Sequence, residues 1–215
     1  MAGKISELRF QKRKRDWVNV FVDGEYAFSL PAVKAASLRV GQYLTDEEVE
    51  SLVRLQEEEK AYERAVRFLG YRPRSRSEVE RYLKKKKTAP QAIAAVIRRL
   101  DDAGYLDDEE FARFWVSNRV QFSPRGRMAL EYELRSKGLS EQLIQKVLDR
   151  ELREDEETVA YELAKAKSKQ WKIEDYPSFA RKLGGFLQRR GFDYQVVRRV
   201  VRRIWDEEKS SQIAD

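Results

Sequence analysis

Four consecutive carboxylates, Asp107-Asp108-Glu109-Glu110, are the residues best suited by type and spacing to hold a divalent cation. Hard cations take oxygen ligands, so such a cluster could position Mg2+ for nuclease chemistry. The same residues also suit a helix start. Acidic clusters recur at Glu57-Glu58-Glu59 and Glu154-Asp155-Glu156-Glu157, each before an apolar helical pattern. Carboxylates at a helix N-terminus cap free N–H groups and meet the positive end of the dipole, and this explains the recurrence better than a metal does. The chain has no His and no Cys, which removes the usual general base near neutral pH and the thiolate and imidazole ligands. It also has neither a P-loop nor a nucleophile elbow. The expectation is a protein that is not an enzyme, with no catalytic residue, no cofactor and no metal.

What remains is arginine chemistry. Arg72, Arg74 and Arg76 punctuate a Pro-containing stretch, and Arg125 and Arg127 do the same in Gln121–Arg127. From Arg181 to Trp205 there are eight basic residues and one acid, Asp193. There Arg198, Arg199, Arg202 and Arg203 fall at helical spacing as one stripe, with Arg189 and Arg190 just upstream. Guanidinium groups bind phosphates or carboxylates in bidentate fashion. These eleven arginines are the candidate macromolecule-binding residues. A net charge of +7 permits a nucleic acid or an acidic protein as partner and does not choose between them.

Those side chains must be positioned by helices. With 41% hydrophobic and 38% charged residues, the composition fits a thin, helix-rich body with much charged surface. Leu83, Leu134 and Leu187 each lie four residues before Lys87, Gly138 and Gly191. Six, nine and ten residues beyond that marker stand Ile93, Val96 and Ile97, then Ile144, Val147 and Leu148, then Val197, Val200 and Val201. All nine are apolar at helix-face spacing, which marks a repeat of about 50 residues. Each unit reads as three helices, with the marker as a left-handed C-terminal position that Lys87 fills less comfortably than glycine. About four extra residues, at Trp171–Pro177, separate the first two helices of the third unit.

The first residues differ. Trp17–Val22 and Glu25–Leu30 flank Asp23-Gly24, a type I′ hairpin signal, and pairing Val22 with Glu25 sets Trp17, Phe21, Tyr26, Phe28 and Leu30 on one face. Lys4–Phe10 can add a third strand, with the basic run Lys12–Arg15 between. Pro31 starts a short helix through Lys34–Leu38, and Thr45 with Glu48 forms a capping box. The fold class is mainly all-α: three tandem three-helix repeats in an elongated curved array after a small β-hairpin region. Its parts are residues 1–44 (hairpin and short helix), 45–104 (linker helix and repeat 1), 105–153 (repeat 2), 154–208 (repeat 3) and 209–215 (disordered tail). No apolar run approaches the roughly 20 residues that span a bilayer, and the N-terminus has no signal core. A cytoplasmic monomer without membrane contact is the expectation.

Two stretches carry a family resemblance. Ala65–Ser75 leading to Glu78–Leu83, and Leu100–Ala112, are similar to the signature of the RecX family of bacterial recombination regulators. Weaker similarity runs through Lys137-Gly138-Leu139 and Arg190-Gly191-Phe192-Asp193, so the resemblance covers about residues 58–205. It implies a non-enzymatic, cytoplasmic protein that binds the RecA recombinase filament, lies in its groove and restrains its ATPase, strand-exchange and co-protease activities. It also implies a capacity to bind single- or double-stranded DNA. It offers no catalytic residue to carry over.

Overall fold

Alternating apolar residues near the N-terminus pair as a four-stranded antiparallel sheet in the order β3-β2-β1-β4. The strands are β1 (Gly3–Phe10), β2 (Trp17–Val22), β3 (Glu25–Pro31) and β4 (Tyr43–Leu44), with a one-turn helix α1 (Ala32–Ala35) after β3. The structure, a computed structural model, describes residues 2–152, 155–171 and 175–214, the last five of these by backbone alone. Glu154, most of the extra residues in the third unit and Asp215 lie outside the described residues. The chain divides into two compact units, 1–106 and 107–215.

In the first unit, Asp23 and Gly24 both take positive φ (48° and 88°), as the tight hairpin requires, and Val22 pairs with Glu25. The expected five-residue aromatic face does not form. A bulge between Val20 and Phe21 pairs Phe21 with Tyr26 but Val20 with Phe28. The extra residue reverses the side-chain alternation. Phe28 and Leu30 therefore join Val18, Val20, Ile5 and Leu44 in the core. Phe21 and Tyr26 meet edge to face outside it, at 6.1 Å between ring centroids.

Helix α2 (Asp46–Leu69) begins at the expected capping box, in which Thr45 and Glu48 exchange backbone–side-chain hydrogen bonds. It then runs for 24 residues without a break. Glu57-Glu58-Glu59 thus lies in mid-helix instead of opening one, because no glycine, proline or second cap interrupts the stretch. One face of α2 supports the sheet: Gln56 Oε1 accepts from Ser29 N on the edge strand, and Glu63 Oε1 accepts from the indole of buried Trp17. Its far half is the first helix of repeat 1, with α3 (Arg76–Lys85) and α4 (Pro90–Asp102). Ala61, Ala65, Val79, Leu83, Ile93, Val96, Ile97 and Leu100 form that repeat's core.

The second unit holds the other two repeats. Repeat 2 consists of α5 (Asp108–Phe122), α6 (Arg127–Ser136) and α7 (Glu141–Glu151). Repeat 3 consists of α8 (Glu156–Ser168), α9 (Tyr176–Arg189) and α10 (Tyr194–Ala214). Helix α10 continues through the segment expected to be a disordered tail. Lys209, Ser210, Ser211 and Gln212 carry no helix breaker, so the packed part of α10 propagates through them. All nine apolar positions of the repeat pattern are buried. The three marker leucines accept equivalent helix-ending bonds, from Thr88 N to Leu83 O, Leu139 N to Leu134 O and Phe192 N to Leu187 O. In each, the residue before the donor has positive φ: Lys87 at 59°, Gly138 at 84° and Gly191 at 80°.

Candidate macromolecule-binding surface

Two of the four carboxylates that could have held a cation, Asp107 and Glu109, are committed elsewhere. Asp107 Oδ1 caps α5, accepting from Glu109 N at 2.8 Å and Glu110 N at 2.9 Å. Glu109 pairs with Lys146 and Arg150, and the hydrogen bond from Lys146 holds its carboxyl below the usual range. Among the described residues no group of three or more acids could hold a metal.

Most candidate arginines are engaged with their own chain. Arg72 binds Glu78 in bidentate fashion, and Arg76 pairs with Asp101 at 2.7 Å. Arg74 lies 4.0 Å over the Phe68 ring, which stacks on Tyr82, and its buried Nε has no hydrogen-bond partner. Burial, reinforced by the charge of Arg72, lowers its pKa. In repeat 2 the corresponding Arg125 also has a buried, unbonded Nε, 3.9 Å from Glu133. Glu133 accepts from Arg119 and from the Trp115 indole. One spot in the repeat is thus filled by stacked rings in one copy and an ion pair in the next, with a loop arginine against it in both.

Arg127 reaches Glu131, Gln145 and Asp149. Burial acts to lower its pKa, but the two carboxylates raise it. Arg190 donates to the Pro124 carbonyl at 3.1 Å, and Gly126 N donates to the Arg190 carbonyl at 2.9 Å, joining repeats 2 and 3. The contact demands two glycines: a Cβ on Gly126 would lie 2.2 Å from Gly191 O, and one on Gly191 would lie 2.3 Å from the Ala129 Cβ.

The stripe on α10 is exposed but not uncompensated. Arg199 pairs with Glu157, Arg202 with Asp206 and Arg203 with Glu207. Counting charges between Arg181 and Trp205 missed these acids, one of which lies on α8 and two of which follow Trp205. Arg198 alone of the four has no carboxylate partner among the described residues; its guanidinium lies 5.9 Å from the Tyr194 ring centroid. Arg198 lines a groove of about 610 Å3 between α9 and α10 together with Arg181, Gln188, Arg189, Gly184 and Gly185. Arg189 likewise has no carboxylate partner among the described residues. The structure therefore brings Arg189 and Arg198 together at one site. It spreads Arg72, Arg74 and Arg76 into unit 1, and uses Arg125, Arg127 and Arg190 inside unit 2. Sequence reading counted Arg181 in the basic region without making it a candidate, and did not single out Gln188 or the glycines; the signal was Gly184-Gly185 inside an otherwise helical pattern.

The helical repeats have counterparts among known proteins. Residues 3–45 match the Regulatory protein RecX N-terminal domain, and residues 61–100, 107–148 and 154–201 match the first, second and third RecX three-helix domains. The regulatory protein RecX of Bacillus subtilis strain 168 is 35% identical over 195 residues, covering 90% of this chain and 74% of the relative. The chain belongs to the RecX family. The RecX of Bacillus velezensis is 32% identical over 200 residues, again covering 90% of this chain and 74% of that one. A crystal structure of regulatory protein RecX shares the fold, with a TM-score of 0.70 at 22% identity, covering 93% of this chain and 98% of that one. RecX from Lactobacillus salivarius overlays with a TM-score of 0.59 at 23% identity, over 69% of this chain and 96% of that one. Membership supports a regulatory role. No described helix is long and apolar enough to cross a membrane.

Proposed function

We propose that this RecX-family chain is a non-enzymatic, cytoplasmic regulator that acts as a monomer. It binds the RecA filament and restrains its ATPase, recombinase and co-protease activities. The observation that carries the reading is the match to all three RecX three-helix domains in chain order, at separate and consecutive positions. The eleven arginines contribute unequally in this reading. Arg189 and Arg198 carry charge that no carboxylate among the described residues compensates, whereas Arg72, Arg76, Arg127, Arg199, Arg202 and Arg203 must exchange an internal carboxylate for a partner's. Arg74, Arg125 and Arg190 shape the loops they sit in. Exposed ion pairs contribute about 0–1 kcal/mol, so exchange costs little for Arg199, Arg202 and Arg203, and more for Arg72, whose partner Glu78 is largely buried.

Binding of the fluorescently labelled chain to RecA filaments assembled on single-stranded DNA tests the proposal. Saturable binding to filaments, exceeding binding to the same DNA without RecA, is the expected outcome. Equal binding to both would overturn it.

The exposed Lys12, Arg13 and Arg15 in the β1–β2 loop favour a second reading, a sequence-nonspecific DNA-binding module. That reading requires affinity for bare DNA to fall steeply with salt, by roughly 0.7–0.9 of a logarithmic unit per phosphate contact and decade of salt. Salt-insensitive or undetectable binding to bare DNA counts against it.

A further inference from the structure

The groove between α9 and α10 has properties that the repeat's own stability does not require. Its floor is Gly184-Gly185, in the interior of a 14-residue helix. Glycine is the poorest helix former after proline, so such a pair needs a reason. Packing within the chain does not demand glycine, although Gly184 is buried against α10. A Cβ on Gly184 would meet Val197 at 3.7 Å, an ordinary contact, and one on Gly185 would meet only the movable end of Arg189 at 3.2 Å. The end of Arg189 lies over Gly185, so another main chain gains close access to that backbone when Arg189 swings onto a ligand carboxylate.

The walls are cationic. Arg181 and Arg189 lie one turn on either side of Gly185 on the same face of α9, about 12 Å apart along the axis. Arg198 faces them from α10, and Gln188 adds an amide. Asp175 is near enough to Arg181 for the arginine's charge to lower its pKa, although hydrogen bonding with Ser178 is the larger cause. Arg189 and Arg198 have no carboxylate partner among the described residues.

The surroundings favour an acidic peptide over a nucleic acid. The other three arginines of the α10 stripe are already paired with Glu157, Asp206 and Glu207, so acids stand beside them. A long phosphate backbone would run into these acids. Single-stranded nucleic acid also uses free aromatic faces as stacking platforms. Of the two tyrosines lining the groove, Tyr176 is held edge-on by Trp205 with Arg202 over it, which leaves the exposed Tyr194 as a single platform where a strand stacks on several.

We propose that the α9–α10 groove of the third repeat receives a short acidic peptide segment of a partner protein, with its main chain over Gly184-Gly185 and its carboxylates on Arg181, Arg189 and Arg198. The proposal rests on the reading of the chain as a regulator of another protein and adds the chemistry of the segment it grips.

Fluorescence anisotropy on the full chain tests this, using a labelled ten-residue Glu/Asp-rich peptide and an oligothymidine of equal net charge. The peptide is expected to bind saturably, and binding should weaken at least tenfold in Arg189→Ala/Arg198→Ala. Gly184→Ala/Gly185→Ala should weaken it similarly while raising the thermal midpoint by a few degrees, which separates loss of the groove from loss of fold. Absent peptide binding, binding that both variants leave unchanged, or tighter oligothymidine binding lost in the same variants would overturn the proposal. RecA-filament binding by the same preparations keeps the two readings apart. Filament binding without peptide binding removes the groove and leaves the regulator. Groove-dependent peptide binding without filament binding upholds the groove and contradicts the regulator.

Discussion

Individual side chains show how far charge in a sequence can mislead about charge on a surface. The α10 arginines form a stripe, as their spacing required, yet Glu157 on α8 and Asp206 and Glu207 on α10 neutralise three of them. The hydrogen bonds that Arg202 and Arg203 donate to Asp206 and Glu207 raise the pKa of both arginines, consistent with cations held by local partners. The i,i+4 acids could be read from the sequence; Glu157, 42 residues away from Arg199, depends on tertiary packing. Lys87 was legible in full. Its position in the repeat demands a left-handed backbone, and it adopts φ of 59° where its counterparts are glycines. A non-glycine residue there costs about 1–2 kcal/mol, partly offset by the greater freedom glycine gains in the unfolded chain. Lys87→Gly should therefore stabilise repeat 1 by roughly 0.5–1 kcal/mol, read as a higher denaturant midpoint with unchanged slope. A lower midpoint would contradict this account of the helix end.

At the level of elements, period and punctuation revealed most of the helices, and the misses have definite causes. The capping box at Thr45 marks the start of α2, and the absence of any breaker before Leu69 makes one helix serve both the sheet and repeat 1. The recurring acidic clusters suggested an extra helix start at Glu57 because two of the three do sit at helix N-termini. Glu59 is instead buried and bound to Arg99 at 2.9 Å, with the Arg99 guanidinium 3.7 Å over the Tyr62 ring. In the sheet, one bulge undid the assigned aromatic face; bulges depend on pairing across strands, which alternation along a single strand does not encode. The junction of repeats 2 and 3 was also hidden, since its glycines matter only through the approach of Gly126 to Gly191. Gly126→Ala should destabilise the second unit by about 1–3 kcal/mol through that overlap. Chemical denaturation followed by tryptophan fluorescence checks it, and an unchanged stability would mean that the loop can move aside at no cost.

For the molecule as a whole, the sequence carried the class of fold and the family, while its own charge pattern did not name a partner. Nine apolar positions at fixed offsets from three marker leucines all proved to be core, so the repeats were legible from hydrophobic spacing alone. Which arginines stay available was not legible, because availability depends on carboxylates brought near by folding. Of the four stripe arginines on α10, only Arg198 has no carboxylate partner among the described residues, and it lines the α9–α10 groove. The central claim is that this RecX-family chain regulates RecA, and the rate of single-stranded-DNA-dependent ATP hydrolysis by RecA tests it most directly. Titration with the chain should slow hydrolysis at sub-stoichiometric amounts. A rate unchanged at equimolar protein would contradict the account.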